Sequence, residues 1–180
     1  WGPVHLKPGA GYRYRWTDNV FYDQESEKSD LIHSFDAEML AELPLGGGQH
    51  LLTGAYDISR ELFRRFDSQN HTDQSGRVEL KLNYVPFTLD LEDVYEETVS
   101  RADTEFTSNV KRDENAFHSL LEIPFASFFL ENEITDFDIS YSRTQDITFD
   151  HNNFTVYQRA GYDMTPATQT KILRVLQSGT

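Results

Sequence analysis

The sequence predicts an all-β chain, an up-and-down antiparallel meander of about nine long strands. Between the breaks in the pattern, apolar and polar residues alternate with the two-residue period of a β-strand. Short turns marked by prolines come at nearly even intervals, at Pro44, Pro86, Pro124 and Pro166. Longer polar breaks lie between these turns, at 23–30, 68–75, 97–104 and 143–153. Tight turns that alternate with longer charged loops are typical of such a meander, and also of transmembrane β-barrels.

The first half of the chain shows the alternation most clearly. In the segment 9–22, Tyr12, Tyr14 and Trp16 share one face, and Arg13 and Arg15 share the other. The same division recurs in the segments 30–44, 52–59, 77–85 and 87–96. The predicted strands are about 12 to 16 residues long, whereas strands of globular proteins usually have about 5 or 6.

The second half is less regular. The alternation changes parity within 104–124, which predicts a bulge or a break near Arg112–Asn115. It slips again within 128–142, recovers in 153–163 and ends in a weakly patterned run, Lys171–Gln177. No linker divides the chain, so residues 1–180 are predicted to form a single β-barrel domain, or a fragment of a longer barrel.

Composition narrows the classes of function. The chain has 180 residues, with Lys+Arg 16 against Asp+Glu 30 and a net charge of −14, so nucleic acid is not an expected partner. It contains no cysteine, which excludes disulfides and thiolate metal sites. There is no run of about 18 apolar residues, the length that a transmembrane helix needs. No signal peptide is visible at Trp1.

Alternation requires one apolar and one wet environment. In a soluble barrel or sandwich the apolar residues point inward, whereas in an outer-membrane barrel they contact lipid and the polar residues line a lumen. Strand length, aromatic residues near strand ends and charges of both signs on the polar face favour a transmembrane β-barrel, or part of a larger one. The residues predicted to line the lumen are Arg13, Arg15, Asp36, Glu38, Glu42, Asp57, Glu79, Lys81, Asp90, Glu92 and Arg159. Those predicted to face lipid are Tyr12, Tyr14, Trp16, Phe35, Met39, Leu80, Leu82, Leu89 and Leu91.

Several stretches resemble one family. They are GYRYRWTDNVFYD, KSDLIHSFDAEMLAELPLGGGQHLL, DSQNHTDQSGRVELKLNY, VKRDENAF and YDMTPATQTKILR. Together they resemble outer-membrane β-barrel porins associated with exopolysaccharide and exosortase loci of Gram-negative bacteria. The resemblance covers nearly the whole chain. It lies in the pattern of strand and turn residues and includes no catalytic motif.

The resemblance implies a protein of the bacterial outer membrane, acting as a passive pore or as an accessory of exopolysaccharide secretion. Its expected partners are the lipid bilayer, exopolysaccharide or small solutes, and other copies of itself. The chain is shorter than the family's usual barrels and ends in Gln177–Thr180 instead of a strand with a terminal aromatic residue. Bacterial single-chain barrels have even strand numbers. These departures indicate part of a larger barrel, or several chains that share one sheet.

We expect no catalytic, cofactor or metal site. The six histidines are scattered without the spacing of metal ligands. Acids such as Asp90 and Glu92 could pair as in a glycosidase, but alternation alone places acids on one face. The alternatives to a non-enzymatic outer-membrane barrel are a soluble β-barrel or sandwich that binds a small ligand or glycan, and a structural β-protein that assembles edge to edge into a tube or filament.

Overall fold

The computed structural model describes residues 3–21, 27–100, 110–141, 151–165 and 168–179. The described strands form one antiparallel sheet, in which each strand pairs with the next along the chain. In order they are β1 (His5–Thr17), β2 (Asp30–Leu45), β3 (His50–Phe63), β4 (His71–Asn83), β5 (Thr88–Ser100), β6 (Val110–Phe125), β7 (Phe128–Tyr141), β8 (His151–Thr165) and β9 (Thr168–Gly179). The predicted all-β, up-and-down antiparallel meander is therefore confirmed.

The two ends of the sheet differ. At one end, which we call the turn end, β2 joins β3 through the 3-10 turn Gly46–Gly48, and β6 joins β7 through Ala126 and Ser127. Gly47 and Gly48 have φ angles of 72° and 93°, which residues with side chains rarely adopt. The opposite end, the loop end, carries the connections between β1 and β2 and between β3 and β4. Pro166, the last predicted turn, lies outside the described residues.

One loop-end connection is shorter than predicted. The sequence predicts a polar break over 68–75, but β4 already begins at His71, after the 3-10 turn Asp67–Gln69. Polar residues at the start of β4 pair with β3 as regular strand residues, for example Asp73 opposite Ser59. A run of polar residues is therefore not a loop here. These residues belong to a regular strand, and polar side chains also occupy the neighbouring positions of β3.

The predicted bulge near Arg112–Asn115 is wrong. Strand β6 is continuous from Val110 to Phe125, and it pairs with β5 and β7 without a shift in register. The predicted slip within 128–142 is also absent, because β7 keeps its register with both neighbours. The change in alternation has another cause. Near the loop end, apolar residues such as Val110 and Ile139 lie on the face that carries polar residues in the rest of the sheet.

The sheet is not closed in the part of the chain that the structure describes. Strand β1 is paired with β2 alone, and β9 with β8 alone. A barrel requires every strand to be paired on both sides. The described strands therefore form an open sheet, with one free edge on β1 and one on β9.

A small apolar cluster lies at the loop end. Val20, Ile32 and Phe63 are buried, with exposed fractions of 1%, 0% and 4%. Phe21 and Phe66 pack against them, and their rings meet edge to face at 5.2 Å. We call these residues the loop-end cluster. It forms because the chain after β1 folds back over one face of β2 and β3.

Asp30, the first residue of β2, holds the adjoining connection in place. Its side chain is buried, and its carboxylate accepts hydrogen bonds from the backbone N–H groups of Leu31 at 2.7 Å, Arg65 at 2.9 Å and Phe66 at 3.2 Å. Hydrogen bonds to an ionised acceptor are stronger than those between neutral groups. Asp30 therefore ties the start of β2 to the connection between β3 and β4, beside the loop-end cluster.

The cluster leads to a prediction about stability. Phe63→Ala should lower the free energy of unfolding by about 3–5 kcal/mol, because it leaves a cavity among packed side chains. The matched control is Phe35→Ala, since Phe35 lies on β2 with about half of its surface exposed and should cost far less. Chemical unfolding followed by circular dichroism would measure both. Equal losses for the two variants would contradict the assignment of the cluster as a packed core.

Candidate functional site: a concave acidic face

Strand pairing assigns each described side chain to one of two faces, because directly opposite residues in an antiparallel pair project to the same side. One face, which we call the charged face, holds all the residues predicted to line a lumen: Arg13, Arg15, Asp36, Glu38, Glu42, Asp57, Glu79, Lys81, Asp90, Glu92 and Arg159. The other, the apolar face, holds all those predicted to face lipid: Tyr12, Tyr14, Trp16, Phe35, Met39, Leu80, Leu82, Leu89 and Leu91. What each face contacts remains a prediction.

The apolar face is uncovered. Large side chains on it are strongly exposed, for example Tyr14 at 73% and Trp16 at 65%. The others on the described strands are Leu6, Tyr12, Phe35, Met39, Tyr56, Val78, Tyr95, Phe125, Phe128, Leu130, Phe154 and Tyr162. Among the described residues, the buried apolar side chains lie on the charged face or in the adjoining loop and not on this face. The described sheet thus lacks the dry interior that a soluble sandwich would build on its apolar side.

The charged face is concave. A cavity of about 470 Å³ is lined by residues from β1 through β5, including Gly11 on β1 and Glu96 and Thr98 on β5. Strands that far apart can line one cavity only if the sheet curves toward this face. We call the cavity the acidic groove. Its carboxylates are Asp36, Glu38, Asp57, Asp73 and Glu96, and its hydroxyls are Ser59, Ser75 and Thr98.

Asp36 is held firmly at the edge of the groove. The Arg13 guanidinium donates to both of its oxygens at 3.1 Å, and the Ser59 hydroxyl donates to Oδ1 at 2.8 Å. Glu38, two residues along, lies across Gly9 of β1, where a Cβ atom would overlap its carboxylate. Glycine at this position therefore leaves the space that the Glu38 side chain occupies.

A row of acids crosses the groove from strand to strand. Glu38 stands opposite Asp57, Asp57 opposite Ser75, Ser75 opposite Glu96, and Glu96 opposite Glu114. Like charges directly opposite each other destabilise a sheet. The row concentrates negative potential on a concave surface, where it attracts cations and repels anions. We call these residues the acidic row.

Ion pairs flank the acidic row toward the turn end. Glu79 and Glu92 are directly opposite each other, and Arg77 binds both, at 3.6 Å and 2.8 Å, while Lys81 binds Glu79 at 2.9 Å. Similar pairs lie near the turn end on the outer strands of the sheet, Lys7 of β1 with Glu42 of β2 at 2.9 Å and Arg159 of β8 with Glu131 of β7 at 2.8 Å. These cross-strand pairs show how the charged face accommodates both signs of charge.

The sequence reasoning missed part of this face. His71 lies between Glu61 and Asp73, with its Nε2 atom 3.8 Å and 3.7 Å from their carboxylates and its Nδ1 atom 2.8 Å from the Gln69 carbonyl oxygen. The polar break predicted over 68–75 includes His71 and Asp73, and the strand predicted over 52–59 ends before Glu61. Their parity, which matches that of Asp57 and Glu79, was the signal that could have found them.

The described residues contain no group of three or more His, Asp or Glu residues placed to hold a metal ion. Within the same residues, no helix has the length and apolar character needed to cross a bilayer. Comparison of this chain with family models, curated proteins and solved structures yields no match. The arrangement can therefore be interpreted only from its own geometry, which is that of a concave, charged and hydroxyl-bearing surface backed by an exposed apolar one.

The ion pairs around Arg77 yield a second prediction. Arg77→Ala should destabilise the protein by about 0.5–1 kcal/mol, because it leaves Glu79 and Glu92 facing each other without the shared guanidinium. Adding Glu92→Gln to that variant should restore part of the loss, since it removes one of the two like charges. Unfolding midpoints of the two variants and the wild type would measure this. A double variant no more stable than Arg77→Ala would contradict the idea that repulsion between these carboxylates is the cause.

Proposed function

We propose that this chain is an outer-membrane β-barrel, or part of a larger one, that acts as a non-enzymatic passive pore whose lumen is lined by the charged face. One observation carries the proposal. The described sheet buries almost none of its apolar face, while its charged face is concave and bonded across strands. A sheet with this polarity is stable when hydrocarbon covers the apolar side and water fills the concave side.

The strand dimensions support this proposal. A strand crosses the hydrocarbon of a bilayer with about 9–11 residues when tilted by about 45°. The described strands are longer, with 13 residues in β1 and 16 in β2 and β6. They are long enough to span and to project beyond the membrane. Aromatic side chains also lie near the turn end, among them Phe125, Phe128 and Tyr162, where barrels carry an interfacial girdle.

A pore of this kind needs the free edges of β1 and β9 to be paired. Further strands of a longer chain, or neighbouring copies of this one, would complete the sheet. The second possibility overlaps with the structural alternative, in which chains join edge to edge into a tube. Both use the same exposed backbone N–H and C=O groups, which readily pair with another strand.

The charged face suggests what the pore would conduct. The acidic row favours cations and neutral sugars over anions, because rings of carboxylates select for cations in channels. A role in exopolysaccharide secretion, as the family resemblance implies, would use the same surface, since hydroxyls and carboxylates form hydrogen bonds with sugars. The soluble alternative is less well supported, because it requires the apolar face to be covered by protein.

Adjacent residues of β2 provide a matched test of membrane insertion. Met39 lies on the apolar face, and Leu40 lies on the charged face between Glu38 and Glu42. Met39→Arg should reduce the stability of the vesicle-inserted protein by about 2–4 kcal/mol, because it places a charge against hydrocarbon. Leu40→Arg should reduce this stability much less, because the carboxylates of Glu38 and Glu42 flank the new arginine.

The measurement is folding into phospholipid vesicles, followed by the faster migration of unboiled protein on electrophoresis. In water the half-exposed Met39 would tolerate an arginine easily. Normal folding of Met39→Arg, or a wild type that is monodisperse without detergent, would refute the membrane proposal and favour the soluble alternative.

Selectivity provides a further prediction. The triple variant Glu38→Gln, Asp57→Asn, Glu96→Gln should lose most of the cation preference, because it neutralises three of the four carboxylates of the acidic row and Arg112 pairs with the fourth, Glu114. Its control, Asp93→Asn, Asp113→Asn, Asp138→Asn, changes the net charge equally but on the apolar face. Reversal potentials in planar bilayers under a salt gradient would compare them. Anion preference in the wild type, or an equal shift in the control, would contradict a lumen lined by the charged face.

A further inference from the structure

The apolar face changes character along the strands. On β6, Phe125, Ile123 and Leu121 lie nearest the turn end, whereas Asn115 and Asp113 lie toward the loop end. All of them project from the same face, because they are separated by even numbers of residues. The apolar character of this face is therefore confined to the part of β6 that is closest to the tight turn.

Neighbouring strands repeat the change. On β5, Leu89 and Leu91 precede Asp93 and Glu97, counting from the turn end. On β7, Phe128 and Leu130 likewise precede Asp136 and Asp138. On β3, the run from Leu52 to Ile58 is followed by Arg60. The order is the same in each strand, with apolar residues first and charged residues later.

The polar residues on this face are connected to one another. The Tyr95 hydroxyl donates to Asp113 Oδ1 at 3.0 Å, and Lys111 Nζ lies 2.7 Å from Glu97 Oε2. The Asn115 amide donates to Asp93 Oδ1 at 3.2 Å. We call these six residues the loop-side network. Ionised groups at such an exposed position are stable in water or among headgroups and costly against hydrocarbon.

The charged face changes in the opposite direction. Near the loop end it carries buried apolar residues, Ile32 and Phe63 in the loop-end cluster, and Val110 and Ile139 on β6 and β7. Ion pairs lie along the rest of the same face, from Arg15 with Glu61 beside the cluster to Arg159 with Glu131 near the turn end. On β3 and β5 to β7, the apolar face thus becomes polar toward the loop end, while the charged face gains a dry apolar patch there. This part of the sheet has the polar outside of a protein surrounded by water.

We infer that the change of polarity on the apolar face of β3 and β5 to β7 marks where the outer surface leaves the hydrocarbon, so that only the turn-end part contacts the bilayer and the loop ends of these strands stand in water. This inference rests on the proposed membrane function. The occupant that we assign to the uncovered turn-end surface is the hydrocarbon of a lipid bilayer, because the charged groups begin at one level on neighbouring strands, with Asp93 and Asp136 on either side of Phe117. A protein partner across the whole face would have to cover the loop-side network as well.

The dimensions agree with this placement. From Phe125 to Phe117, the apolar part of β6 spans about 26 Å of extended strand. A tilt of about 40° reduces this to about 20 Å of height, close to the apolar band of about 25 Å in membrane barrels. Tyr12, Tyr14 and Trp16 lie toward the loop end of β1, at the level where amphipathic rings suit the headgroup region.

The absence of native cysteine allows a direct test. A nitroxide label would be attached to single-cysteine variants of β6 in phosphatidylcholine vesicles. Leu121→Cys lies on the turn-end surface and Asp113→Cys in the loop-side network, while Ala116→Cys on the charged face is the control. Collision with molecular oxygen reports hydrocarbon, and collision with a neutral nickel chelate reports water. The oxygen-to-nickel collision ratio should be several-fold higher at position 121 than at 113 and 116.

The collision ratios at positions 121 and 113 test the boundary and the membrane function separately. A high ratio at 121 with a low ratio at 113 supports the inferred boundary. High ratios at both positions would overturn the boundary while leaving the membrane function intact. A low ratio at 121 would overturn the membrane function itself, and the boundary with it. Variants that fold poorly would be replaced by Ile123→Cys and Asn115→Cys, which lie at equivalent positions.

Discussion

The uninterrupted antiparallel register from β1 to β8 is the constraint on which the other features depend. In a β-sheet, a slip of one residue moves every side chain of a strand to the opposite face. A bulge at Arg112–Asn115 would have placed the residues beyond it on the other side of β6, so that Asp113 would join the charged face and Val110 the apolar one. The register instead keeps Glu96 opposite Glu114, and it keeps Leu89 and Leu121 on the same side. The acidic row, the ion pairs and the exposed apolar surface all follow from it.

Much of this arrangement could be predicted from the sequence, because residues two apart in a strand lie on the same face. The alternation predicts Met39 and Glu38 on opposite sides of β2, and the strand pairing places them so. The alternation does not predict, however, which other parts of the chain pack against each face. Phe63 and Ile32 have the parity of the charged residues, and only the folding back of Val20 and Phe21 over them explains their burial. The role of Asp30 depends on backbone N–H groups more than 30 residues away.

The distribution of charge explains why this sheet depends on its surroundings. Its charged face pairs opposite charges where it can, as at Arg77, but tolerates carboxylates opposite each other along the acidic row. Its apolar face exposes large rings and aliphatic side chains that would drive association in water. A sheet of this kind gains little from its own interior, which in the described residues is limited to the loop end. Its remaining stability must come from the strand ladders and from whatever covers the apolar face.

The loop-end cluster bears on how a solute would reach the acidic groove. Ile32 and Phe63 stand on the same face as the groove, beyond Ser34 and Glu61 on the same two strands. Val20 and Phe21 cover them, so this part of the charged face is dry. On the turn side, the groove is continued by ion pairs that water can reach. These apolar side chains offer no ligand to a cation, so the groups of this face that can bind one are the carboxylates and hydroxyls of the acidic groove and of the strands around it. The charged face therefore has two parts that differ in kind, a dry apolar patch that packs the loop-end connection against β2 and β3, and a wet part whose carboxylates set the local electrostatic potential.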